Sequence, residues 1–160
     1  MYIAVVGSGR ASDVDIEEAE AVGRVIAKAD AVLVCGGLGG VMEAACRGAK
    51  SVGGLTVGLL PGTDRHDANA FVDVAVPTGL GEARNALVVR ASDALVAVGG
   101  EYGTLSEIAL ALQADTPVVG LRTWEMMRPG VLADGVVRAD EPAEAVSIAI
   151  QLAYEARSTR

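Results

Sequence analysis

Three glycine clusters carry the first hint of chemistry: Gly7-Ser8-Gly9-Arg10-Ala11-Ser12, Gly36-Gly37-Leu38-Gly39-Gly40 and Gly99-Gly100-Glu101-Tyr102-Gly103-Thr104. Each follows a short apolar run and precedes a helical pattern. Turns of this kind let backbone N–H groups converge at a helix N-terminus, where unpaired donors and the helix dipole favour an anion such as phosphate. Gly7, Ser8, Gly9, Arg10, Gly36, Gly37, Gly39, Gly40, Gly99, Gly100, Tyr102, Gly103 and Thr104 are therefore candidate phosphate or ligand contacts. The alternative is that the glycines serve only tight strand-to-helix turns.

Two charged residues stand beside these loops. Arg84 opens a predicted helix, where a cation gains nothing from the dipole, and its planar guanidinium suits a phosphate bidentately. An ion pair with Glu82 or Glu107 could coexist with that role. Glu107 follows Thr104 at the spacing of a capping box, so Thr104-x-x-Glu107 reads either as helix-start structure or as a pair facing a ligand. Glu43, in the first turn of its helix, reads as structure favoured by the dipole, with a catalytic carboxylate as the alternative. His66 belongs to a polar loop and reads as a solvated histidine, with a catalytic role as the alternative, and Arg65 and Asn69 of the same loop could rim the crevice. Trp124-Glu125-Met126-Met127 reads as an apolar cap or a subunit contact, with ring stacking on a heterocycle as the sharper alternative.

Absences narrow the phosphate compound. The second apolar run ends Val34-Cys35-Gly36-Gly37 with no acid to hold an adenosine ribose, which argues against an ordinary NAD site. There is no Gly-x4-Gly-Lys-Ser/Thr, which argues against a P-loop nucleotide triphosphatase. The lysines are Lys28 and Lys50, both late in predicted helices that run back from the loops, so pyridoxal phosphate chemistry has no amine to use.

The elements that must position these residues alternate along the chain. Predicted strands are Tyr2–Val6, Ala31–Cys35, Thr56–Leu60, Val72–Val76, Ala94–Val98, Pro117–Leu121 and Gly135–Arg138, most of them continuously apolar as strands covered on both faces are. Predicted helices are Val14–Ala29, with Ser12 and Asp13 as caps, then Val41–Val52, Glu82–Ser92, Thr104–Ala114 and Pro142–Arg157. The alternation implies an α/β fold: a single Rossmann-like, doubly wound domain over residues 1–160, with a mostly parallel sheet of about seven strands and helices on both faces. In the usual Rossmann order the first and second strands lie on one side of the switch point and the fourth and fifth on the other. The three loops then surround one crevice.

Length and charge agree with one soluble domain. The chain has 160 residues, 51% hydrophobic but only 3% aromatic, so its core is built from Ala, Val, Leu and Ile. Net charge is −8, and both halves carry −4: 6 basic against 10 acidic side chains in residues 1–80, 7 against 11 in 81–160. Nucleic acid and anionic membranes are bound through clustered positive charge, so neither is an expected partner. Cys35 and Cys46 lack a CxxC spacing and sit with a single His, so no metal is expected and both are read as buried reduced thiols. The apolar run at the N-terminus is too short for a secretory or spanning segment, and the expected address is cytoplasmic.

Taken together, Gly36-Gly37-Leu38-Gly39-Gly40-Val41-Met42-Glu43-Ala44-Ala45, Glu82-Ala83-Arg84-Asn85 and Gly99-Gly100-Glu101-Tyr102-Gly103-Thr104-Leu105-Ser106-Glu107 resemble the Lonely Guy superfamily, often mislabelled lysine decarboxylase. Its hallmark is Pro-Gly-Gly-x-Gly-Thr-x-x-Glu preceded by an active-site arginine. Here Gly99 stands for the proline and Glu101 for the second glycine of the pair. The Arg84-Asn85 dipeptide, the Gly-Gly-Val-Met-Glu-Ala string and Ser106–Leu112 are more similar to the molybdenum-cofactor carrier branch. That resemblance implies a Rossmann-like homo-oligomer, dimer or tetramer, that binds a phosphorylated pterin dithiolene, the molybdenum cofactor (molybdopterin), as ligand and requires no other cofactor. It adds Asn85 to the ligand contacts. The wider superfamily implies an alternative, a nucleoside 5′-monophosphate phosphoribohydrolase releasing free base and ribose 5-phosphate. In that case Arg84 and Glu107 would be catalytic, and a nucleoside monophosphate would be the ligand.

Overall fold

A computed structural model describes residues 1–132 and 135–158. Strands β1 (Tyr2–Gly7), β2 (Val32–Cys35), β3 (Thr56–Leu60), β4 (Val74–Pro77), β5 (Ala94–Val98), β6 (Val118–Leu121) and β9 (Val136–Arg138) form one parallel sheet in the order β4-β3-β2-β1-β5-β6-β9. Helices α1 (Asp13–Lys28), α2 (Val41–Lys50), α3 (Asn85–Arg90), α4 (Tyr102–Gln113) and α5 (Pro142–Ser158) flank it. The doubly wound α/β architecture expected from the alternation is the one observed.

Successive strand residues point to opposite faces, and both faces are buried. Ile3, Val5, Leu33, Cys35, Val96 and Val98 pack with α1, α2 and α5. Ala4, Val6, Val34, Leu95 and Ala97 pack with α3 and α4. This two-sided burial is why β1 and β5 read as unbroken apolar runs rather than as alternating ones.

Four expectations need correction. The fourth strand does not cross the switch point: β4 pairs with β3 at the outer edge, and β5 takes the place beside β1. The passage from β3 to β4 holds only a 3-10 turn at Arg65–Asp67, so the chain adds a neighbouring strand first and crosses afterwards. That strand begins at Val74 rather than Val72, because Val72 and Asp73 are taken by the turn, the Asp73 carboxylate accepting from the Thr56 amide and hydroxyl. The helix expected over Glu82–Ser92 is divided into a 3-10 turn, Gly81–Arg84, and the six-residue α3. Finally α4 starts at Tyr102, with Glu101 as a cap residue that makes no side-chain bond. Thr104 is therefore inside the first turn, and the Thr104–Glu107 capping box does not form. A capping box does form at the start of α1, where the Ser12 hydroxyl accepts from the Asp15 amide and the Asp15 carboxylate accepts from the Ser12 amide. A two-stranded hairpin, β7 (Met127–Arg128) with β8 (Val131–Leu132), was not expected.

Candidate functional site

The switch point between β1 and β5 opens a cavity of about 210 Å³ at the carboxyl end of the sheet. Gly7, Ser8 and Gly9 wall it from the β1 loop, Gly103 and Thr104 from the first turn of α4, and Arg84, Asn85 and Glu107 from below. Eight of the sequence-predicted residues thus converge. Leu38, Met42, Glu82 and Glu101 complete the lining. Leu38 and Met42 carry no residue-type signature of a site. Their only signal is position, one inside and one just beyond the second glycine cluster, where a large apolar residue is unusual.

Arg84 sits at the centre. It is 6% exposed, and its guanidinium lies flat against Gly36: a Cβ there would come within 2.5–2.7 Å of Nη2, Nη1 and Cζ. The requirement at Gly36 is therefore space for Arg84. Nη1 donates to Glu107 Oε1 at 3.4 Å, and the buried Nε has no partner; neither has the buried Asn85 Oδ1. Glu107 is also 6% exposed. Burial pushes its carboxyl up to about 7, against the opposing pull of Arg84 and with help from the Glu82 carboxylate. A carboxyl raised toward neutrality in this way is suited to giving or taking a proton.

The glycine loops differ in what they do. Gly40 adopts φ +65° as the cap of α2, and the Val41 amide donates to the Ser8 carbonyl, which locks the second loop to the first. At Gly100, φ is +113° and a Cβ would strike the Thr104 side chain, so this turn excludes any other residue. Gly37 and Gly39, with Gly36 and Gly40, shape the second loop behind the lining rather than facing the cavity. Gly99 and Gly100 line a neighbouring depression with Ser12, Asp15, Arg122, Thr123 and Trp124. There Arg122, at φ +47°, bridges Asp15 and Glu18.

Arg10, Tyr102 and His66 also lie outside the cavity wall. Arg10 is exposed at the tip of the first loop, where its amide donates to the Ser8 hydroxyl. Tyr102 is 81% exposed and tilts against Trp124 with ring centroids 5.6 Å apart, while Trp124 Nε1 donates to the Glu101 carbonyl. His66 is exposed and held by Asp64, as a solvated loop histidine would be. Cys35 and Cys46 are free, buried thiols with sulfurs 3.5 Å apart; the Cys35 sulfur beside it and burial push the Cys46 thiol up. Among the described residues no helix is long and apolar enough to cross a membrane.

Comparison with known proteins turns this geometry into kinship. The model of the SLOG cluster4 family matches residues 1–147. The chain belongs to that family. An uncharacterized protein of Archaeoglobus fulgidus is 44% identical over 150 residues, 94% of this chain and 95% of its own. Among solved structures, the molybdenum cofactor binding protein of Rippkaea orientalis superimposes with a TM-score of 0.87 at 38% identity, covering 94% of this chain and 96% of that one. The molybdenum cofactor carrier protein of Chlamydomonas reinhardtii gives 0.86 at 38% identity, with 96% and 98% covered. The resemblance drawn from Arg84-Asn85, the second glycine loop and Ser106–Leu112 points to the same branch of the Rossmann-like proteins.

Proposed function

We propose that this member of the SLOG cluster4 family is a carrier of the molybdenum cofactor, holding the cofactor's phosphate at Arg84. The observation that carries the reading is a buried guanidinium, cradled on Gly36, whose Nε has no partner and whose one carboxylate contact is long. A positive charge held this deep and this loosely is matched by an anion. The two structural relatives named for the molybdenum cofactor support the choice of ligand. The donor set fits: the guanidinium and the loops of Gly7, Ser8, Gly9 and Gly103 suit the phosphate, while Leu38 and Met42 offer apolar contact to a flat pterin. When bound, the cofactor's dithiolene holds the molybdenum, and the chain's task is to shield and hand over the assembled group. A chain of net charge −8 supports a small ligand in preference to nucleic acid. Two thiols left unbridged at 3.5 Å suit a reducing, cytoplasmic address.

One observation favours a second reading. A carboxyl that titrates near 7 beside a phosphate-binding arginine could serve a phosphoribohydrolase as acid or base. One experiment separates the two. The chain is mixed with molybdenum cofactor released from a molybdoenzyme, and separately with AMP, and bound ligand and free adenine are measured by chromatography. A carrier retains the cofactor and releases no adenine above background, and Arg84→Ala weakens retention at least about tenfold, as loss of a charge-assisted contact does. Multiple-turnover release of adenine, lost in Glu107→Gln with the fold intact, would establish the hydrolase instead.

A further inference from the structure

Arg84 and Glu107 form a poorly made pair for two charges at this depth. Their 3.4 Å separation is longer than the about 2.7–2.9 Å of a good charge-assisted bond, Arg84 Nε has no partner, and both residues are more than nine-tenths buried. An ionised pair taken out of water recovers its desolvation cost only with close geometry and full hydrogen bonding. The guanidinium cannot release its proton, so the carboxyl is the member that adjusts. Its surroundings give little help. The turn after β4 presents Arg84 as the one cation and Glu82 as a further carboxylate; Glu101 lines the same cavity from the start of α4. Thiol Cys35 stands at the end of β2, and Ser8 and Met42 are uncharged.

We propose that a phosphomonoester entering the cavity replaces Glu107 as the partner of Arg84, and that Glu107 takes up one proton from solvent as it does so. This rests on the phosphate site argued above. A bound dianion cancels the field of Arg84 at Glu107 and adds its own, so the carboxyl loses the cation that favours its ionised form. Once protonated, Glu107 can donate its O–H to the anion instead of repelling it. In the free chain burial already brings this carboxyl to about 7, so the proton is nearly in place at neutral pH and must be drawn from solvent above it. Binding is therefore strongest below pH 7 and weakens as pH rises. The slope approaches about tenfold in affinity per pH unit, the limit for one linked proton. The site selects its ligand by charge and proton together, and raising the pH becomes a means of release.

The test uses sulfate, which mimics a phosphate dianion and does not titrate near neutrality. Calorimetric titrations of the whole chain from about pH 6 to about pH 9, in buffers of different ionisation enthalpy, give affinity and proton uptake together. The expected result is a dissociation constant that rises above pH 7 with uptake approaching one proton per sulfate, a flat profile without uptake in Glu107→Gln, and a persisting slope in Glu101→Gln. Binding that is independent of pH in the wild-type chain, or a slope that survives in Glu107→Gln, overturns the proton linkage and leaves the phosphate site standing. No sulfate, phosphate or AMP bound at any pH overturns the phosphate site itself, and the linkage with it. Carbon-13 detection of the Glu107 carboxyl in the wild-type chain reads the same step without a substitution. Its midpoint must move up when sulfate is added, and an unmoved midpoint under saturating sulfate overturns the proposal.

Discussion

Glu107 marks the boundary between what residue types declare and what only a fold can supply. Its chemistry was readable, since a glutamate at a fixed spacing from Thr104 behind a glycine turn has few roles. The choice between helix cap and ligand-facing acid was not readable, because it turns on whether α4 begins at Thr104 or at Tyr102. The earlier start buries Glu107 against Arg84, and burial raises its carboxyl from an ordinary value to about 7. That shift has a consequence for stability even without ligand. Between about pH 4.5 and 7 the folded chain keeps a proton that the unfolded chain has released, so this group's contribution is fully present below that window, falls as pH rises through it and is lost above it. Thermal unfolding of wild type and Glu107→Gln from pH 5 to pH 8 checks the sign. The glutamine side chain does not titrate, so the variant should gain on the wild type steadily up to about pH 7 and then keep a constant lead or deficit. Parallel curves across the whole range would mean that Glu107 is ionised in the free chain.

At the scale of elements, most of the fold was legible because parallel strands buried on both faces leave a plain signal. Thr56–Leu60 and Ala94–Val98 fall where the apolar runs end, since Gly or Pro follows each of them. The place of β4 was not legible: its short stretch exposes Val74 and Val76, and nothing in the run reports which neighbour it pairs with. Nor was the crossing of α1 and α2, the most extensive helix-to-helix contact among the described residues. A Cβ at Gly23 would fall on the Ala45 carbonyl oxygen, and one at Gly48 on the Glu20 carbonyl oxygen. Glycine serves here as a notch for the partner's backbone, a requirement that depends on a residue more than twenty positions away. Gly103 is the natural contrast, because open space surrounds its Cβ direction in the first turn of α4. Alanine in place of a helical glycine ordinarily adds up to about 1 kcal/mol, whereas forcing a methyl into packed backbone costs about 1–3 kcal/mol or more. Urea unfolding should therefore show a higher midpoint for Gly103→Ala and a lower one for Gly23→Ala. A stabilised Gly23→Ala would mean that α1 and α2 can separate without penalty.

At the scale of the molecule, the two faces of the sheet are unequally covered. Among the described residues, helices α1, α2 and α5 lie over one face, while α4 and the six-residue α3, with Trp124 and Met126 beside them, lie over the other. On that thinner side β4 pairs Val74 with Val57 and Val76 with Leu59, so the four side chains share a face, yet Val74 and Val76 remain 46% and 39% exposed. Leu80 and Leu87 are exposed on the adjoining turn and helix. Apolar side chains gathered at a sparsely covered sheet margin mark a contact surface, and among the described residues the outer edge of β4 has no strand paired to it. We propose that the homo-oligomer expected from the family resemblance forms its interface here, copy against copy, finishing the layer that α3 leaves short. Light scattering at micromolar concentration should give a multiple of the 16.2 kDa chain mass. A lysine at Val76 places a charge in the middle of that surface while leaving the helix-covered core untouched, so Val76→Lys should shift the mass toward the monomer with the circular dichroism spectrum unchanged. If the wild-type chain already scatters as 16.2 kDa, the margin is open in solution. If Val76→Lys keeps the larger mass, the interface lies on another face and Val74, Val76, Leu80 and Leu87 are simply exposed.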